Sequence, residues 1–159
     1  MNREDFMCLA AKAVQFNSQS GPPEDGGIDH VVFVAERLRS MVDAEVRHLT
    51  LTSVGLASTL ARLYTECVCA LRGRRVSNHA IGQTADDVSA FLYDVIFAPK
   101  NQKYADSFRD FGAIGVVVRL LDQERVLQQT HTPLALAHIA NYAIMAMDLL
   151  DDDDNFFQA

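Results

Sequence analysis

Basic residues are in short supply, with 14 Lys and Arg against 21 Asp and Glu and a formal charge of −7. Proteins hold nucleic acid chiefly through cations that neutralise its phosphates, so this balance argues against long nucleic acid as the partner. A single nucleotide in a local basic pocket stays compatible with it. Cysteine is scarce as well: Cys8, Cys67 and Cys69 are odd in number, and the last two are one residue apart. That pattern suits neither a disulfide framework nor a common zinc spacing, and the expectation is reduced thiols in a cytoplasmic setting. The opening Met1-Asn2-Arg3-Glu4-Asp5 lacks the order of a secretory leader, basic and then apolar. The most apolar stretches, 111–121 and 133–150, are interrupted by polar groups, so a soluble protein with no membrane partner is expected. Gly-x-Ser-x-Gly and P-loop patterns are missing, and nothing in the chain supports nucleophilic catalysis. No internal repeat is present.

What the chain does have is apolar material at helical spacing. Its 159 residues, 49% hydrophobic and 22% charged, suffice for one domain with its own core. The fold class expected is all-α, a single-domain bundle of about five to seven helices over residues 1–150, followed by an acidic tail at 151–159. Helices are predicted from Arg3 to Gln15, Ile28 to His48 and Thr52 to Leu71, with a loop rich in Gly and Pro from Ser18 to Gly27. Thr84 and Asp87 form a capping pattern ahead of a buried stripe of Val88, Phe91, Leu92, Val95 and Ile96, and Pro99 is expected to end that helix. Gly112 to Gln128 suits a helix better than a buried strand on grounds of length. Thr132-Pro133 starts a last helix that is apolar on nearly every side and therefore central, running to Leu150. Asp151–Asp154 stands where the helix dipole disfavours negative charge, and is read as a frayed tail.

Polar residues crowd into one part of the chain. Lys100, Asn101, Lys103, Tyr104, Asp106, Ser107, Arg109 and Asp110 follow the helix-ending proline, a position that displays side chains at a turn and at the start of a new helix. A lysine there suits phosphate, Ser107 adds a donor, and Tyr104 can stack on a base. The alternative is a hydrated loop. Arg119, Asp122 and Arg125 recur at three-residue intervals in an otherwise apolar segment. They are read either as a buried ion-pair network or as a site in which Arg119 or Arg125 holds phosphate and Asp122 holds a metal ion or ribose hydroxyl. On the last helix His131, His138, Asn141 and Asp148 fall near one face, and as polar groups on a central helix they require partners. Their spacing is a weak metal signal. Arg72, Arg74 and Arg75 are read as a solvated cluster at a helix end.

The order of these pieces resembles a known family. Lys100, Asn101, Tyr104, Asp106 and Ser107 match a Lys-Asn-x-Asp-Tyr-Gly-Asp-Ser pattern, from which Lys103 and Ala105 depart. Arg119 and Asp122 match an Arg-x-x-Asp, and Asn141-Tyr142 an Asp-Leu-Ala-Asn-Tyr. Together they resemble the phage and bacterial nucleotide-modification-associated helical domain, which is similar to the MazG and dimeric dUTPase class of all-α nucleoside triphosphate pyrophosphohydrolases. The resemblance covers about a third of the chain, Lys100 to Leu150. It implies a homo-oligomer that binds a nucleotide or modified nucleotide, with Lys100, Asn101, Tyr104, Ser107, Arg119, Arg125, His138 and Asn141 toward the substrate. As an enzyme it would release pyrophosphate, using Asp106 and Asp122 with Mg²⁺, and Asp87 and Asp94 as further metal ligands. The chain departs from the family where it carries Leu134 and His138 in place of acidic residues and lacks an upstream Glu-x-x-Glu. A pocket that keeps the nucleotide without the metal is a simpler reading, and a non-catalytic helical interaction protein, an inhibitor or assembly adaptor, is the alternative from another class.

Overall fold

A computed structural model describes residues 1–18, 27–46, 53–104 and 106–154. Among them six helices and one small hairpin form a single-domain all-α bundle. Helix α1 is Arg3–Ser18, α2 is Gly27–Val46 and α3 is Ser53–Leu71. A two-residue-per-strand antiparallel hairpin, β1 Arg75–Val76 and β2 His79–Ala80, follows. Helix α4 comprises three consecutive stretches, Ala85–Phe91, a π-helical turn Leu92–Phe97 and Ala98–Tyr104. A 3₁₀ turn, Ser107–Phe111, leads into α5, Gly112–Thr130, and α6 is Pro133–Asp154. Of the loop expected from Ser18 to Gly27, Ser18 ends α1 and Gly27 starts α2, and residues 19–26 lie outside the described residues.

The last helix takes the middle of the bundle, touching α1, α3, α4 and α5. Leu136, Ile139, Ile144 and Met147 are fully buried there, as expected of a helix with almost no polar face. The stretch Pro133–Leu150 is long and apolar enough to span a membrane by length and composition, and in this fold its neighbours cover most of it. Small residues let α3 and α6 approach: Ala57, Ala61, Ala140 and Ala143 are all buried. Helix α3 is tied to α4 by a 2.6 Å hydrogen bond between the hydroxyls of Tyr64 and Ser89, both buried. Burial pushes the Tyr64 and Cys67 groups well above their ordinary pKa.

Helices α1 and α5 run two to three residues past their expected ends, to Ser18 and Thr130, and two other boundaries differ in kind. Pro99 does not end its helix, which runs on to Tyr104. In a regular α-helix the proline ring would meet the carbonyl four residues back, but here the preceding turn is widened and Pro99 is the second residue of the resumed helix, where a missing N–H is tolerated. Asp151–Asp154 is helical and continues α6. The dipole cost of an anion at a helix C-terminus, of order 0.3–1 kcal/mol, does not unwind the turn.

Candidate functional site: a cavity between α4, α5 and α6

The π turn decides which side chains of α4 reach the cavity. It inserts one residue into the helix, so the buried stripe Val88, Leu92 resumes five positions later at Phe97 and leaves Val95 and Ile96 half-buried. Lys100 and Asn101, three and four residues beyond Phe97, then share its face and line the same cavity. Asn141 of α6 fastens the widened turn, donating from Nδ2 to the Leu92 carbonyl at 3.2 Å.

Beyond α4 the chain reverses at Asp106, whose φ of 58° lies in the left-handed region. Asn101 holds this corner from both sides. Its Nδ2 donates to Asp106 Oδ1 at 2.7 Å, and the Asp106 backbone N–H donates to Asn101 Oδ1 at 3.0 Å. The reversal carries Ser107, Phe108 and Phe111 back over the cavity, and Gly112, at φ 69°, turns the chain into α5.

The cavity encloses about 450 Å³, within the size range of small-molecule sites. Phe97, Phe108, Val116 and Asn141 are buried and form its floor, whereas Lys100, Ser107, Phe111 and Arg119 are exposed and form its mouth. Tyr142, Met145 and His138 fill the α6 side. The floor is stiffly backed, because Phe97 lies 5.6 Å from Phe6 and 5.5 Å from Tyr93, centroid to centroid, in an aromatic cluster.

Among the described residues, no carboxylate belongs to the lining. Arg119 rests over the Phe111 ring at 5.1 Å, and among the described residues no ion pair involves it or Lys100. Burial lowers the pKa of His138, and the positive charge of Lys100 lowers it further, so the imidazole is neutral at pH 7. A positive mouth over an apolar, aromatic interior accommodates an anionic group on a flat or apolar body.

Of the residues singled out in the sequence, Lys100, Asn101, Ser107, Arg119, His138 and Asn141 line this one cavity. The aspartates lie elsewhere. Asp106 Oδ1 meets the Met1 amino group and Asn101. Partial burial would raise its pKa, but hydrogen bonds from Met1 and Asn101, with the charges of Met1 and Arg109, hold it below the usual carboxylate range. Asp87 closes a capping box with Thr84, its Oδ2 accepting from the Thr84 N–H at 3.2 Å. Asp94 pairs with Arg3 at 3.0 Å. Asp122 and Arg125 are exposed, and no ion pair joins them to each other or to Arg119 among the described residues. No three His, Cys, Asp or Glu side chains come together around a metal-sized position among the described residues. The Tyr104 side chain lies outside those described.

The four polar residues read onto the last helix divide among three tasks, and His131 precedes α6 rather than belonging to it. His138 and Asn141 face the cavity, Asp148 accepts from Arg109 at 2.8 Å, and His131, at φ 53°, caps the end of α5. Phe97, Phe108, Phe111 and Met145 were not legible as site residues, and Tyr142 was noted only as part of a motif, with no role. Phe97 and Phe108 bracket the Lys100–Ser107 segment on both sides, which was the available signal. Compared with known protein families, curated proteins and solved structures, the chain has no significant match in any of the three.

Proposed function

We propose that this cavity binds a small anionic ligand with a flat or apolar body, and that a nucleotide is the class that fits it. The observation that carries the reading is the placement of Lys100 and Arg119, neither in an ion pair, at the mouth of an aromatic cavity with no acidic lining, in a chain that is acidic overall. Lys100 meets phosphate as a point charge and Arg119 as a planar fork, while Phe111 and Tyr142 offer faces to a base. The family resemblance of the Lys100–Leu150 segment adds support. The proposal is one of binding: Asp87, Asp94 and Asp106 are engaged in a cap, an ion pair and a chain reversal, so Mg²⁺ would enter with the phosphates of the ligand.

Thermal melting with nucleoside mono-, di- and triphosphates, each with and without Mg²⁺, tests this. A ligand at about a hundred times its Kd adds roughly 2.7 kcal/mol to the folded state, which raises the melting temperature by several degrees. Lys100→Ala and Arg119→Ala should abolish the rise while leaving ligand-free melting unchanged. No rise with any nucleotide removes the proposal and favours the non-catalytic interaction protein.

A further inference from the structure

His138 lines the cavity on its α6 side, half-buried, and none of the described residues gives its ring a hydrogen bond. Its surroundings carry one sign of charge. Lys100 of α4 and Arg119 of α5 are the charged residues of the lining, and Tyr142 is the other titratable group in it. Arg109 of the 3₁₀ turn is paired with Asp106 and Asp148, and α1 and α3 contribute no residue to the lining. Burial and the charge of Lys100 keep the ring neutral at pH 7 in the protein alone.

An anion reverses the second of these causes. Lys100 is near enough to act on the imidazole, so a phosphate dianion seated on Lys100 acts on it too, with opposite sign and about twice the charge. Its oxygens also offer an imidazolium N–H the acceptor that no described residue supplies, which offsets the water lost as the ligand enters. Resting on the nucleotide reading, we infer that His138 is a ligand-contacting residue that takes up a proton as the phosphate binds, giving the site a third positive charge only when an anion is there to use it. Binding therefore tightens as the medium becomes more acidic and slackens as it becomes alkaline.

Calorimetric titration at pH 7 with AMP, GMP, CMP and UMP, each in two buffers of different ionisation enthalpy, counts the protons exchanged. The tightest of the four should bring a net uptake by the protein. The ligand cannot mimic this, because a phosphate whose second pKa is about 6 sheds its remaining proton among cations. Its Kd should fall about threefold from pH 8 to pH 7, the direction for a group whose pKa is raised in the complex. His138→Gln keeps a donor and an acceptor without a titratable charge, and should abolish both the uptake and the pH dependence. No uptake, or the same uptake in the variant, overturns the inference and leaves the anion pocket standing. Binding of none of the four overturns both. If His138→Gln does not fold, magnetic resonance on the unaltered protein decides: a histidine ring in through-space contact with the ligand should move to its protonated shift on saturation, and a neutral ring or no such contact overturns the inference.

Discussion

Glu124 shows how far burial of a charge can be read from one chain. Its side chain is fully buried on α5, where Arg39 of α2 donates to it at 2.8 Å and Gln128 also donates. The buried ion-pair network considered for Arg119, Asp122 and Arg125 is not formed among the described residues, where all three are exposed; the buried charge of this segment is Glu124. Three-residue spacing among charges says which share a face; which face is covered depends on where α2 comes to lie, and no local pattern carries that. Removing one member of a buried pair leaves the other uncompensated. Arg39→Ala should therefore cost about 3 kcal/mol in urea unfolding at neutral pH, whereas Arg39→Met with Glu124→Leu together should recover most of the loss. Equal losses in the single and double variants would show that packing of the arginine stem, and not charge, is what matters.

At the scale of elements, start and stop signals were readable where they are local. Thr84 and Asp87 form the capping box expected of them, with Asp87 N–H donating to Thr84 Oγ1 at 3.0 Å. Thr84→Ala should lower stability by about 1 kcal/mol, measurable in the same denaturant series, with little effect on ligand binding. The helix start at Pro133 was equally plain, and the central place of α6 followed from its lack of a polar face. The π turn was not readable. It depends on a carbonyl of α4 finding the amide of Asn141, 49 residues later in the chain, and that same amide shifts the stripe from Ile96 to Phe97. Pro99 misled because the rule against proline in a helix assumes a regular turn before it.

For the whole molecule, the cavity could be foreseen in membership more than in shape. Six of the polar residues singled out in the sequence line it, because the corner at Asp106 folds the 100–111 segment back on α5 and α6. Its aromatic walls come from residues that periodicity alone assigns to the core. The pH response belongs at this scale. His138 has a lowered pKa in the folded protein, so the unfolded chain takes up its proton first, and stability rises with pH through the window below the ordinary histidine value of 6.5. Asp106, held low, contributes stability that is present above 3.8 and lost as pH falls through its folded value. Unfolding free energy should thus decline from pH 7 to 5, and His138→Gln should flatten that decline without altering the loss at lower pH; an unchanged slope would show that other groups set it.

The seating of Arg119 on the Phe111 ring has a consequence for how the cavity would meet the anion proposed for it. A guanidinium held by a carboxylate must be pried loose before it serves an incoming anion, and its field is largely cancelled meanwhile. One cradled on an aromatic face keeps its whole charge turned outward, is lightly hydrated, and is loosened little by the electrolyte that dissolves surface ion pairs. Capture of the proposed anion would therefore require no ion pair to be surrendered first.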